Sequence, residues 1–442
     1  MIVQKFGGTS VGGSQQIRRV GEIIQRSLSR KPLVVVSAVG GITDRLIRLG
    51  DLALAGAEWN NELDLIVEKH RSILDELSLE PGLVDGLLEE LGGLVRGIAL
   101  IQERTARTQD YLLSFGERLS ARIVSAHLRA QGLASTAWDA FDAGLVTTPR
   151  HSAARPLEEA DAKIREALAD RDDVPVVTGF IGKNVDGVIT TLGRGGSDYT
   201  ASIFGAALGA DEIQIWTDVD GVMTTDPRIV KTARQQPKLS CAEASELAFY
   251  GAKVVHPATM VPAVKNGIPI RVLNTHRPEF EGTLIVADLA PTERGVKSIT
   301  CKQGISVVSV VAAPMAVQYG FMERIAAAFS NHEIVIDVIA TSEVSVAITT
   351  KSDVTLEPVV AELESFSEDV TVQQERAVVS LVGEELREKG GVAASVLSVL
   401  AQNEIAVEMI SFGATRRNLS VVVEQAQAHD AVRVLHSHLF GA

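Results

Sequence analysis

Lys5 closes a short apolar run, Ile2–Phe6, and is followed by Gly7-Gly8-Thr9-Ser10-Val11-Gly12-Gly13. A lysine at a strand end, ahead of glycines and a helix, suits an anionic phosphate, because loop and helix N-terminus both present N–H groups. The same residues also fit an ordinary strand-to-helix turn with an exposed lysine. The spacing is neither GxxxxGK[ST] nor GxGxxG, so neither of those phosphate loops applies. Arg194-Gly195-Gly196-Ser197-Asp198 places a second glycine pair between a strand and a helix. Its guanidinium can fork onto a carboxylate, and Asp198 can orient a lysine or a magnesium ion. The alternative is that Ser197 or Asp198 simply caps the helix. Ser114-Phe115-Gly116-Glu117 reads in two ways: a capping box opening a long amphipathic helix, or a carboxylate that holds a ligand ammonium. WTDVDG (216–221) ends a strand and Asp226-Pro227-Arg228 turns soon after. Turn chemistry explains the Asp-Gly and Asp-Pro pairs; a nucleotide site at strand C-termini explains why polar groups gather there. Lys253, in GAKVVHP (251–257), is a surface lysine or one of the few cations near these loops, and His256 reads as packed or capped. No Ser/His/Asp or Cys/His set offers a nucleophile.

Composition narrows the field further. The 442 residues are 46% hydrophobic, 22% charged and 4% aromatic, with a formal net charge of −14. Such a chain builds a sizeable core and is not disordered. The negative balance argues against a broad nucleic-acid or anionic-membrane surface, while leaving room for a local phosphate site. Cys241 and Cys301 form neither a disulfide framework nor a zinc cluster, and the histidines make no HxxxH or HExxH pair. No apolar run approaches the ~18 residues of a membrane span. The chain opens on a strand rather than a signal peptide, so a cytoplasmic protein is expected.

These residues need elements to hold them. Strand Ile2–Phe6, the glycine turn, a helix near Gln15–Ser29 and strand Leu33–Val36 make a parallel βαβ unit. Helical patterns follow near Glu58–Leu77, Leu83–Arg107 and Ser114–Gln131, then strands near Val174–Thr178, Val188–Thr191, Glu212–Thr217 and Ile268–Leu273. Val286–Arg294 is polar, contains Pro291, and reads as a linker. Beyond it the chain repeats itself. A shift of 71 residues superposes Ile305–Ile339 on Arg376–Ile410, with Gly320 on Gly391 and Phe321, Ile325 and Phe329 on Val392, Val396 and Leu400. Ser345-Val346 returns as Ser420-Val421 after a four-residue insertion. Two β-α-β-β-α copies of ferredoxin-like type fit best. The second copy lacks its last strand, and Gly295–Cys301 is expected to supply it, which makes the first copy an insertion within the second.

KFGGTSVG (Lys5–Gly12), VVVSAVGGITDRL (Val34–Leu46), SFGERL (Ser114–Leu119), TTLGRGGSDYTA (Thr190–Ala201), WTDVDGVMTTDPR (Trp216–Arg228) and GAKVVHP (Gly251–Pro257) together resemble aspartate kinase, in that order. The repeats resemble its tandem ACT domains, the amino-acid-sensing modules. Met223 departs from the family pattern, where many relatives carry Tyr. The resemblance implies an α/β fold: an amino-acid-kinase-like parallel-sheet sandwich followed by two ferredoxin-like (ACT) regulatory units. It implies a catalytic domain over 1–290, a first ACT domain over 305–372, and a second from 295–301 plus 376–440. It also implies transfer of a phosphoryl group from ATP with Mg2+ to the β-carboxylate of L-aspartate, the first step toward lysine, threonine and methionine. SFGERL and the paired repeats disfavour glutamate 5-kinase and N-acetylglutamate kinase, and the joint presence of Lys5, Glu117, Arg194 and Asp198 disfavours a non-catalytic sensor.

Carried over by motif, Lys5 neutralises the phosphoryl group and Asp198 orients it. Gly7, Gly8 and Gly196 supply backbone donors. Arg194 holds the α-carboxylate, Glu117 the α-ammonium, and Ser37, Thr43 and Ser197 the attacking carboxylate. Thr217, Asp218, Arg228 and Lys253 surround the nucleotide. No protein ligand to the metal is assigned. A feedback site is expected in the first repeat, with L-lysine as effector. There Met315, Gly320 and Phe321 lead from strand to helix, Asp337 has an acidic counterpart in Glu408, and Ser342 and Glu343 have none. Apolar edges of the inserted unit imply a homodimer, or a dimer of dimers, through the ACT domains.

Overall fold

A computed structural model describes residues 1–249, 257–293, 295–312, 319–384, 386, 391–413 and 415–441. In chain order its first elements are β1 (Ile2–Phe6), α1 (Ser14–Arg26), β2 (Pro32–Val36), α2 (Ile42–Leu54), α3 (Asn60–Glu76), α4 (Asp85–Ile101), α5 (Ala106–Ala130), β3 (Ser135–Trp138), β4 (Val146–Thr147), α6 (Ala160–Leu168) and β5 (Val174–Thr178). Then come β6 (Ile181–Asn184), β7 (Ile189–Thr191), α7 (Gly196–Leu208), β8 (Glu212–Thr217), β9 (Lys238–Ser240), α8 (Cys241–Phe249), α9 (Pro257–Lys265), β10 (Ile270–Asn274) and β11 (Thr283–Val286). The remainder comprises β12 (Val296–Val311), α10 (Phe321–Asn331), β13 (Val338–Thr341), β14 (Ser345–Lys351), α11 (Glu357–Glu364), β15 (Asp369–Gly383), α12 (Val392–Gln402), β16 (Met409–Phe412), β17 (Asn418–Glu424) and α13 (Ala428–Phe440).

Two compact units result. The first contains Met1–Val222, Pro237–Cys241 and Val254–Asp288; the second contains Met223–Gln236, Ala242–Lys253 and Leu289–Ala442. The first is built on an eight-stranded sheet of order β3-β5-β2-β1-β8-β10-β11-β9. The six strands from β3 to β10 run parallel, with Lys5 level with Val35 and Ile215 on its neighbours. Strands buried on both faces need near-continuous apolar sequence, and PLVVV and VPVVT are buried along their whole length. β1 lies at the centre, so the loops after β1, β2 and β8 leave one sheet edge together, the usual ligand crevice of such sheets. A smaller sheet, β4-β6-β7, lies in the same unit.

The second unit is a six-stranded antiparallel sheet, β13-β14-β12-β15-β17-β16. Its two long strands shift register between Lys302 and Val307, so Ser298–Lys302 pair with Val378–Val382 while Val307–Val311 pair with residues 369–373. Each half carries its own core. Phe321, Ile325, Phe329 and Leu363 fill one; Val396, Leu400, Val432 and Leu435 fill the other. The 71-residue step carries α10 onto α12 and β13 onto β16 without a change of length. The following strand departs from the expected four-residue insertion. Thr341 faces Val346 in the first hairpin and Phe412 faces Leu419 in the second, so the insertion is two residues. Both are even numbers and leave the alternation of faces intact, so side-chain period cannot distinguish them. The unit also takes in residues from before the expected boundary at 290. Thr224 Oγ1 lies 2.8 Å from the buried His436 Nε2, Ile229 and Val230 pack on the second core, and Glu384 N donates to Glu243 Oε1 at 2.9 Å.

Candidate active site

Lys5 reaches out of β1 to Asp198, Nζ to Oδ1 at 2.6 Å, with the two side chains only 11% and 15% exposed. Asp198 is the third residue of α7, where the N-terminal dipole favours a carboxylate. The capping alternative for Ser197 and Asp198 is not what occurs. Gly195 is the N-cap, at φ +69° with no side-chain cap, so both residues lie inside the first turn. The pair lines a cavity of about 620 Å³ together with Gly8, Ser37, Thr43, Glu117, Arg194, Gly196 and Ser197. Of the twelve residues beyond Lys5 and Asp198 expected at this site, seven meet in this one space; Gly7, Thr217, Asp218 and Arg228 do not border it, and Lys253 lies outside the described residues. Gly7 and Gly196 differ from the expectation of open donors. Gly7 N–H donates to Trp216 O at 3.1 Å and Gly196 N–H to Gly193 O at 3.0 Å. Gly8 keeps the loop close: a Cβ there would stand 3.1 Å from Ala38 O.

Glu117 comes from the middle of a helix, not its start. Helix α5 begins at Ala106 with Thr105 as N-cap, its hydroxyl accepting from Thr108 N. Ser114 Oγ donates back to Tyr111 O at 2.7 Å, so the capping-box alternative is corrected. Gly116 lets the helix approach the loop after β2, since a Cβ there would lie 2.7 Å from Ala38 Cβ. That approach brings Ala38 N–H to Glu117 Oε1 at 3.1 Å. Burial pushes the Glu117 carboxyl up to about 8, against the opposing pull of the Ala38 hydrogen bond and the Lys5 charge. A buried carboxyl of this kind is a ready receptor for a cation.

Ser152 and Phe180 also border the cavity and were not singled out from sequence. Both hold positive φ, +61° and +67°, which no residue-type signal announces. At the end of β8, Thr217 Oγ1 donates to Asp218 Oδ1 at 3.1 Å, and Thr217 O accepts from Thr275 N at 2.8 Å. Neighbours missed by sequence are Asn274 and Arg277, which both bind Asp220. Arg228 belongs to the second unit, where it is 89% exposed and pairs with Asp226 at 2.6 Å. Its guanidinium holds the Asp226 carboxyl below the usual range. Lys253 and His256 lie outside the described residues.

Of the residues expected at a feedback site, Met315 lies outside the described residues. Gly320 is the N-cap of α10 at φ +83°. The Phe321 side chain points away from any surface site: it is buried, edge-on to Phe366. Asp337 is not an unpaired acid, because Lys302 Nζ sits 2.5 Å from its Oδ2, and Glu408 in the other half pairs with Arg376 at 2.7 Å. Ser342 Oγ accepts from Ser345 N at 3.1 Å within the β13–β14 turn, and Glu343 is exposed. Lys302 precedes the repeat and carries no motif, so sequence did not single it out.

Comparison with known proteins bears on this geometry. The amino acid kinase family matches residues 1–274, and an ACT domain matches residues 379–439. The chain is 38% identical over 456 residues to aspartokinase 1, chloroplastic, of Arabidopsis thaliana, covering 99% of this chain and 80% of that protein. It is 34% identical over 458 residues to lysine-sensitive aspartokinase 3 of Escherichia coli, covering 100% and 99%. Two solved structures of the E. coli enzyme, aspartokinase III, are similar at 33% identity. The complex with lysine and aspartate (T-state) gives a TM-score of 0.84 over 100% of this chain and 99% of that one. The complex with aspartate and ADP (R-state) gives 0.81 over 100% of both.

Proposed function

The chain belongs to the aspartokinase family, and from that premise we propose that it transfers the γ-phosphoryl group of ATP to the β-carboxylate of L-aspartate, releasing ADP and 4-phospho-L-aspartate. The observation that carries the reading is the Lys5–Asp198 ion pair, enclosed in one cavity with Glu117 and Arg194. Phosphoryl transfer asks little covalent chemistry of a protein; it asks for positioning and for charge where charge develops. Lys5 supplies the cation, and Asp198 holds it in place. Glu117 and Arg194 provide one acid and one base for the two termini of a zwitterionic amino acid. Ser37, Thr43 and Ser197 then hold the attacking carboxylate by hydroxyl donation. Thr217 and Asp218 serve the nucleotide, with Gly7, Gly8 and Gly196 shaping the backbone beside it.

Magnesium fits such a site through phosphate oxygens and water, its usual coordination beside nucleotides. Asp198, the carboxylate at the phosphoryl end, already faces Lys5, so no protein ligand is assigned to the ion. Among the described residues no cluster of three His, Cys, Asp or Glu could hold a metal by itself.

The domain scheme is 1–290 for catalysis, 305–372 for a first ACT domain, and 295–301 with 376–440 for a second. L-lysine is the effector, received in the first copy by Met315, Gly320, Phe321 (through its backbone), Asp337, Ser342 and Glu343; the lysine-sensitive E. coli relative supports that choice. Ile339, Val344 and Val372 are exposed apolar residues of the first copy, which supports a homodimer or dimer of dimers through these domains. The enzyme works in the cytoplasm at the first step toward lysine, threonine and methionine; no helix among the described residues is long and apolar enough to cross a membrane. ADP release measured with L-aspartate, with L-glutamate and with no amino acid tests the reaction, with hydroxylamine trapping the acyl phosphate. Release that does not depend on aspartate would overturn it.

A further inference from the structure

One buried carboxylate has no part in the chemistry above. Asp110 lies on α5 two turns before Glu117, on the same helix face, and is fully buried. Both its oxygens accept hydrogen bonds. Thr191 Oγ1 donates to Oδ1 at 2.7 Å and Thr191 N–H to Oδ2 at 3.0 Å. Ser152 N–H is shared between the two at 3.2 and 3.1 Å, Ser152 Oγ lies 3.4 Å from Oδ1, and His151 Nδ1 stands 2.7 Å from Oδ2. Three chain segments therefore meet on one side chain: helix α5, the 151–152 turn and the end of β7.

All three segments border the cavity, α5 through Glu117. Ser152 and Thr191 both line it. Ser152 holds a left-handed φ of +61°, a conformation that a serine keeps only when its surroundings fix it. Its carbonyl oxygen lies close against Gly193, where a Cβ would come within 2.7 Å of it, so the two backbones pack without room for a side chain. Gly193 begins the turn that carries Arg194. The chain of contacts runs from Asp110 through Ser152 and Thr191 to the loop that presents Arg194; Thr217 and Asp218 do not border this cavity.

We propose that Asp110 is a positioning residue for the amino-acid acceptor: through Ser152 and Thr191 it fixes the Arg194 loop in the geometry that receives the acceptor's α-carboxylate. This rests on the acceptor reading given above. The side chain touches neither substrate; it acts by holding the groups that do. Its loss should weaken aspartate and leave the nucleotide alone.

Asp110→Asn keeps the volume, but whichever way the amide turns, its NH2 group faces a donor. The variant should raise the KM for aspartate roughly tenfold to a hundredfold, with the KM for ATP and kcat held within about threefold, the signature of lost ground-state and transition-state binding alike. Thr191→Val removes one bond to the same carboxylate and should give a smaller change with the same split. The double variant should fall short of additivity, because both substitutions delete one shared interaction. If Asp110→Asn does not fold, Thr191→Val read against wild type decides by the same split. An aspartate KM unchanged in the soluble variants overturns the proposal, and so do KM values for aspartate and ATP that rise together. Aspartate-dependent turnover of wild type is measured first: its absence refutes the acceptor reading itself, whereas its presence with an unmoved aspartate KM refutes only the role of Asp110.

Discussion

Glu117 should make aspartate binding depend steeply on pH in a range where free aspartate itself does not titrate. Burial raises its carboxyl to about 8, so in the empty site at neutral pH it is mostly protonated. A ligand ammonium needs the carboxylate, and binding must then expel the proton. The sign follows: a raised acid is ionised only above its folded pKa, so affinity climbs with pH and levels off above about 8. The apparent dissociation constant scales with one plus the ratio of proton concentration to the acid constant. Between pH 8.5 and 6.5 that predicts a loss of about 25-fold, near 2 kcal/mol at 1.36 kcal/mol per tenfold. Titration calorimetry in two buffers of different ionisation enthalpy should show about 0.9 protons released per aspartate at pH 7. Glu117→Gln, which cannot ionise, should bind more weakly at high pH, without the slope and without proton release. The same shift carries a stability sign. The folded state holds this proton more tightly than the unfolded one, so unliganded wild type should lose stability relative to Glu117→Gln as pH rises from 4.5 to about 8. A wild-type affinity that is flat across this range, or a slope that survives in Glu117→Gln, refutes the reasoning.

Lys5→Ala should lower kcat by about two to four orders of magnitude, since charge at a transferring phosphoryl group is worth about 3–5 kcal/mol; near wild-type turnover would remove Lys5 from the mechanism. Gly116→Ala puts a methyl group 2.7 Å from Ala38 Cβ, so it should cost about 1–3 kcal/mol of stability by overpacking and raise the aspartate KM by displacing Glu117. A thermal midpoint and KM equal to wild type would show that α5 has room to spare. Inhibition by lysine should exceed that by threonine and should weaken in Asp337→Ala and Glu343→Ala; threonine dominance, or lysine inhibition unchanged in both variants, would refute the effector assignment.

Much of the fold was legible from elements that repeat a simple rule. Unbroken apolar runs such as PLVVV and VPVVT mark strands buried on both faces, and glycine turns after β1 and before α7 mark where the parallel sheet opens. The 71-residue step located α10 and α12, because both copies keep the same buried helix face. Where the reading slipped, the cause is local. Helix α4 ends at Gln102 in a left-handed conformation, φ +51°, with no glycine to mark it. The start of α5 at Thr105 was therefore missed, and S-x-x-E further along was open to misreading as a helix start. Lys302 was missed for a different reason: its partner Asp337 is 35 residues away, and only the sheet brings them together.

The two carboxylates of α5 show why residue type alone could not separate structure from chemistry. Asp110 and Glu117 share a helix, a face and near-complete burial. Asp110 is met on both oxygens by donors from Ser152, Thr191 and His151, so its hydrogen-bonding capacity is taken up within the chain. Glu117 receives one backbone N–H from outside its helix and retains a carboxyl near 8. Desolvation without enough donors leaves an acid that only an incoming cation can ionise favourably. The helix thus presents a satisfied carboxylate that fixes loops and an unsatisfied one that faces the cavity. That division depends on what folds against each residue, not on the seven-residue spacing that a sequence can show.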